Sequence, residues 1–148
     1  MGFLGTQAGT AADVNLVLQL ALLALLLVGR MRVKEKNYAL HGRLMAVAVA
    51  LNAASIVIVM LPSLLLGLGF IATYPTDPVS ITTIIHAILG AAAELSGIYL
   101  VYKWRFTKSV AECMKNKRLM IPTMALWTVT VILGVIMYLQ FYVFITPG

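Results

Sequence analysis

Three ionisable side chains of this 148-residue chain fall inside apolar runs: His41, His86 and Glu94. Ionisable groups are expensive in such surroundings and mark functional candidates. A neutral imidazole is a ligand for haem iron or copper, and a methionine thioether is a soft second ligand. Met60 and Met137 fall at the height of His86 when residues are counted along helices, and Asn15 and Gln19 lie close. His86 with either methionine is therefore a candidate haem axial pair or Cu(I) site. The chain carries eight methionines, so the plain alternative is that both are core or lipid-facing residues.

His86, Gly90 and Glu94 are spaced i, i+4, i+8 and share one helical stripe. Gly90, Ala93 and Gly97 add small residues that admit a neighbouring helix or a flat cofactor. Asn52, Trp127 and Thr130 are expected near the height of Glu94. A carboxyl at that depth is expected to be neutral and able to donate a hydrogen bond to Asn52. Asn52, Glu94 and Trp127 then form a buried polar network that fixes helix packing, or a proton relay, or a partner for a cofactor. His41 and Arg43 stand at the mouth of an apolar run, and Arg118 at the mouth of another. The two arginines can hold phospholipid phosphates or haem propionates, the lipid being the simpler reading. His41 can sit in the headgroup region or cap a helix start. Counted at 1.5 Å per residue, His41 and His86 are about 20 Å apart in depth, which excludes one metal shared between them.

The elements that position these residues follow from composition. The chain is 61% hydrophobic and 11% charged, against roughly 25% charged for a soluble domain. Four apolar segments, at about 13–30, 40–70, 81–102 and 119–144, are long enough to cross about 30 Å of hydrocarbon as helices. The first lacks the leading positive charges and cleavage site of a signal peptide, so it is expected to be retained. The expected architecture is all-α and membrane-integral, a single-domain four-transmembrane-helix bundle running up-down-up-down. Pro62 is expected to kink the second helix. Pro122 falls in the first turn of the fourth, and Ser80 or Thr82 is expected to cap the third. Cys113, the single cysteine, is read as a bystander thiol in a loop.

All 11 basic residues cluster in two places. Arg30, Arg32, Lys34, Lys36 and Arg43 surround the first loop. Lys103, Arg105, Lys108, Lys115, Lys117 and Arg118 surround the third. The positive-inside rule then puts loops one and three in the cytoplasm and both termini outside. The net charge of +6 is a topology and headgroup signal, not a nucleic-acid surface. Tyr74, Tyr99, Tyr102, Trp104 and Tyr142 lie near span ends, as interfacial aromatics do. A short repeat links the stretches that open spans two and four: Arg43, Leu44 and Met45 recur as Arg118, Leu119 and Met120, with Asn116 where His41 stood. This suggests two parallel hairpin pseudo-repeats. No HExxH, GxSxG, P-loop or GxGxxG motif occurs, so hydrolase and nucleotide chemistry are not expected and an enzyme is the less favoured reading.

The stretches "LHGRLM", "TTIIHAILGAAAELSGIYL" and "NKRLMIPTMALWTVTVILGVIMYLQFY" resemble the small four-helix YozB/CtaM membrane family, a domain of unknown function, over about residues 14–144. His41, Arg43, His86, Arg118, Trp127, Gly134 and Tyr138 match its pattern, and Asn116 departs from it where the family usually has a third histidine. The resemblance implies a role near haem or copper insertion into terminal oxidases. Two main expectations follow. The chain is a b-type haem-binding electron-transfer protein or haem-copper oxidase accessory of a respiratory membrane; or it is a cofactor-free anchor subunit of a larger membrane complex. A small proton channel using Glu94 and His86 is a third, and four helices give it room only as a homo-oligomer.

Overall fold

The computed structural model describes residues 2–107 and 110–144, without the side chains of Arg105, Phe106, Thr107, Glu112 and Cys113. Lys108 and the side chains of Arg105 and Cys113, on which expectations were placed, therefore lie outside the described residues. Among the described residues all regular structure is helical. Four helices are long and apolar enough to cross a membrane: Thr10–Lys34, Tyr38–Thr73, Pro78–Trp104 and Lys117–Phe144.

Each span outruns the apolar run that signalled it. Helix α1 covers Thr10–Lys34; Arg30, Arg32 and Lys34 continue the helix because long basic stems cover apolar surface, and their charges meet the negative end of its dipole. The turn that follows shrinks to three residues. Lys36 takes a left-handed conformation (φ 61°), its N–H bonds the Val33 carbonyl, and Asn37 N–H bonds the Arg32 carbonyl. This is a Schellman stop with lysine where glycine is usual. Asn37 then caps helix α2, Tyr38–Ser55, by accepting from Leu40 N–H at 3.1 Å. Arg43 thus lies in the second turn of α2. Arg118 lies in the first turn of its own helix, directly after Asn116, so the two copies of the short repeat stand at different distances from their helix starts.

The second span is not one regular helix. After α2 comes a π-helical turn, Ile56–Met60, and then helix α3, Leu61–Thr73. Pro62 cannot donate to the carbonyl four residues back and its ring crowds that carbonyl. The wider turn absorbs both problems, with Leu61 N–H reaching back five residues to Ile56. Helix α4, Pro78–Thr107, starts on a different cap from the one expected. Asp77 accepts from Val79 N–H at 2.8 Å, with Pro78 in the first helical position. Thr82 instead bonds the Pro78 carbonyl, and Ser80 is fully buried. The third loop is not plain loop: it contains a short helix α5, Val110–Lys115, which includes the backbone of Cys113. Helix α6, Lys117–Leu139, ends in a second π turn, Gln140–Phe144.

Helices α1, α2, α4 and α6 pack on one another. Their shared core holds Leu22, Leu26, Ala48, Val49, Ala93, Trp127 and Val131. Gly97 brings two helices close to α4. A β-carbon there would stand 3.0 Å from Val49 Cγ2 of α2 and 3.2 Å from Trp127 Cζ3 of α6. Gly42 does the same for Trp104, whose indole occupies the space a side chain would need. Beyond the π turn the packing stops. No residue of α3 is buried, and Leu66 is 88% exposed.

Two substitutions check the tight turn. Asn37→Ala removes the cap and is expected to cost about 1 kcal/mol. Lys36→Gly relieves the left-handed lysine and is expected to stabilise by up to about 1 kcal/mol. Thermal unfolding in detergent should move in opposite directions for the two; movement in the same direction removes this account of the turn.

Candidate cofactor site

The loss of packing around α3 leaves a cavity of about 520 Å³, bounded by α1, the π turn, α3, α4 and α6. Its base is polar. Asn15 and Gln19 of α1 and Asn52 of α2 line it, and they belong to one chain of hydrogen bonds. Asn52 Nδ2 donates to Glu94 Oε2 at 2.8 Å, and Gln19 Nε2 donates to Asn52 Oδ1 at 2.8 Å. Gln19 Nε2 also reaches Ser55 Oγ at 3.4 Å, and Ser55 donates in turn to Asn15 Oδ1. The chain ties α4 to α2 and α2 to α1. The direction of donation at Glu94 is opposite to the one expected: the carboxyl accepts from Asn52. Glu94 is 6% exposed, and its second oxygen, Oε1, is buried without a partner. Trp127 packs in the apolar core below this chain rather than within it.

His86 lines the cavity from α4. Its Nδ1 lies 3.0 Å from the backbone carbonyl of Thr130 on α6. A carbonyl only accepts, so Nδ1 carries the proton and donates, and Nε2 keeps its lone pair. A histidine poised to bind a metal has this arrangement, its other ring nitrogen donating to a backbone carbonyl. Gly134 makes room for the ring, since a β-carbon there would stand 3.1 Å from His86 Cε1. Gly90 admits α6 on the same helix face, 3.2 Å from the Thr130 methyl by the same measure. Met60, at the end of the π turn, and Met137, on α6, line the same cavity. The structure therefore brings His86, Met60 and Met137 to one space.

It does not bring His41, Arg43 or Arg118 there. His41 donates from Nδ1 to the Gly29 carbonyl of α1 at 2.9 Å. Gly29 lies ten residues, or about 15 Å along the helix, from the cavity residue Gln19. Arg43 and Arg118 are exposed at the starts of α2 and α6, positions suited to lipid phosphates and remote from the cavity. Among the described residues no group of three or more His, Cys, Asp and Glu side chains is placed to hold a metal ion; any ligand set at His86 draws on thioethers.

The sequence reading passed over Asp13 as a span boundary. It is fully buried, and its carboxylate accepts from the backbone N–H groups of Phe3 and Leu4 and from the Tyr138 hydroxyl at 2.5 Å. Tyr138 also pairs with Thr6 at 2.7 Å and lines the cavity. The N-terminal residues are thus folded back onto α1 and α6 beside the cavity. The signal in sequence is an acid at the start of the first apolar run and a tyrosine near the far end of the chain; only tertiary contact joins them.

No family model, no curated protein and no solved structure matches this chain.

The polar chain yields a measurable coupling. Interhelical hydrogen bonds in membranes average about 0.6 kcal/mol and reach about 1.7. The Asn52–Glu94 bond is buried and belongs to a network, which places it toward the upper figure. A double-mutant cycle with Asn52→Leu and Glu94→Leu, read by reversible unfolding in mixed micelles, should give a coupling of about 1–1.7 kcal/mol. A value near zero means the contact does not hold the helices.

Proposed function

We propose that this chain is a small four-span protein of a respiratory membrane that holds a b-type haem against His86. On this reading it serves electron transfer or the assembly of haem-copper oxidases, and its kinship with the YozB/CtaM family is part of the proposal. The observation that carries it is the single imidazole with Nδ1–H fixed on the Thr130 carbonyl and Nε2 left as ligand, at the wall of a 520 Å³ apolar cavity. A lone Cu(I) ion fits the soft set of His86, Met60 and Met137 but needs almost none of that volume. A macrocycle does. His86 would hold the iron, Met60 or Met137 would supply a second ligand, and the small residues Ala87, Gly90, Ala91 and Gly134 would leave room for a flat ring. When bound, the iron would supply one-electron chemistry, and burial and the ligands this chain offers would set its potential.

The alternation of the spans supports the up-down-up-down part of the reading. As numbers rise along α1 from Asn15 to Gln19 to Gly29, their partners on α2 fall from Ser55 to Asn52 to His41. Between α2 and α4, Gly42 meets Trp104, Val49 meets Gly97 and Asn52 meets Glu94. Between α4 and α6, Gly97 meets Trp127, Gly90 meets Thr130 and His86 meets Gly134. The basic residues then gather at one end, which the positive-inside rule assigns to the cytoplasm. Both termini and the cavity fall in the outer half. A second reading, an anchor subunit without a cofactor of its own, draws on the exposed face of α3.

Protein purified in mild detergent, or reconstituted with haem, should show a Soret band at one haem per chain. His86→Ala should abolish it, while His41→Ala should leave it in place. Copper without haem in metal analysis would move the assignment to a Cu(I) site. A colourless protein that also fails to take up added haem refutes the haem reading, and stoichiometric co-purification with other subunits would then favour the anchor.

A further inference from the structure

The cavity lies beneath a wall that is held at its ends and unburied along its length. Helix α3 follows the π turn Ile56–Met60 and Pro62, and none of its residues, nor any of the π turn, is buried. The other walls belong to α1, α4 and α6, which are packed on one another. Helix α3 is therefore held at its two ends, by the π turn and by the four-residue loop 74–77 that leads into α4, and is unburied in between. A π turn beside a proline is a recognised place for a helix to bend. The side-chain amides of the cavity, Asn15, Gln19 and Asn52, are gathered at its base, where α3 begins. Its upper walls are apolar, with Leu64, Phe70 and Ile71 on α3 and Val79 on α4. The end away from the base is bordered by Tyr138, Phe141 and Tyr142, beside the N-terminal fold held by Asp13. Aromatic rings border that end, and along the other side no residue of α3 is buried.

We propose that this cavity is filled sideways from the bilayer, with α3 as a wall that swings outward between the π turn and the short loop to α4, and that its ligand is a flat, lipid-dissolved molecule whose polar edge meets the Asn15, Gln19 and Asn52 amides. The route rests on the cavity being the binding site of the proposed function. It does not depend on which flat amphiphile is bound. A water-borne ligand would meet the aromatic end and the apolar upper walls first, whereas a lipid-dissolved one meets apolar surface throughout until its polar edge reaches the amides.

Two measurements test the route in a Cys113→Ser background. The first needs no cofactor. A fluorophore on Ala87→Cys, across the cavity from α3, is compared with one on Leu95→Cys, which is 67% exposed on the same helix. Both proteins are placed in phosphatidylcholine vesicles carrying a nitroxide on the acyl chain. Quenching at residue 87 should reach half or more of that at residue 95; less than half overturns the lateral opening. The second uses haem in the same vesicles. Gly67→Cys meets no neighbouring atom, and with Ala87→Cys it is bridged by a flexible bis-maleimide. The bridge should slow haem uptake by the apoprotein at least tenfold relative to the unbridged pair, and should slow release by a similar factor when formed after loading. Uptake at the unbridged rate overturns the swinging wall. If the parent protein takes no haem at all, the haem reading fails, and the quenching experiment alone decides the route.

Discussion

Inside hydrocarbon no water is available to a polar group, so every amide, hydroxyl and carboxyl must find its partner within the protein. The chain from Glu94 through Asn52, Gln19 and Ser55 to Asn15 meets most of that demand, Glu94 Oε1 remaining unpaired, and the rest of the architecture depends on it. Apolar burial cannot drive one helix onto another in lipid, because the lipid is as apolar as leucine. Close approach and polar bonds must do so. Here glycines admit Trp127, Val49 and Trp104 on the inner side of the polar chain, and the amides clamp α1, α2 and α4 at mid-depth. Alanine or leucine at Asn52 would leave both Glu94 and Gln19 short of a partner.

The polar chain also marks where packing ends. Ser55 is its member on the last residue of α2, and the π turn starts one residue later. Below that level four helices share a core; above it α3 is held by the π turn and the short loop to α4, and none of its residues is buried. The fold is therefore a closed bundle in one half and an open cleft in the other. A regular helix through Ile56–Met60 would place a different face of α3 toward α4, since a π turn shifts the register of everything after it. Pro62 enforces that shift by withholding its N–H. The cavity is in this sense written into one proline and the five-residue π turn Ile56–Met60 ahead of it.

The four spans were legible because apolar runs of that length have one solution in a bilayer. Their heights were legible too: counting at a fixed rise put His86 level with Met60 and Met137, and all three line one cavity. The ends were not legible. Hydropathy stops at a charge, but a helix does not, and Arg30, Arg32 and Lys34 extend α1 past its apolar run. Caps misled in the same way. Ser80 has the right type and place to start α4, yet Asp77 next to Pro78 does so, because a carboxylate ahead of a proline presents its acceptor where the first amides need one. Trp127 reads as polar by its indole N–H and behaves as apolar by its bulk. Asp13 was invisible as a site residue because its partners, Tyr138 and the backbone of Phe3 and Leu4, are joined to it only by the fold.

The two histidines finally separate by room rather than by chemistry. Each donates Nδ1–H to a backbone carbonyl of a neighbouring helix, Gly29 for His41 and Thr130 for His86. Each stands near a glycine, but only at Gly134 does the missing side chain make room for the ring; a β-carbon at Gly29 would be an ordinary 3.7 Å from His41 Nδ1. Each is left with Nε2 as its acceptor. Beside His41, the space over Gly29 is already filled by the end of Met45, so that imidazole is a strut between α1 and α2. Beside His86 the same orientation borders open volume. The absence of a histidine at position 116 follows the same logic. Asn116 opens α6 as its N-cap, with its carbonyl bonded by Leu119 and Met120 N–H, whereas His41 lies a full turn inside α2. A histidine at 116 would occupy a helix start, not a strut, and the short sequence repeat conceals that difference.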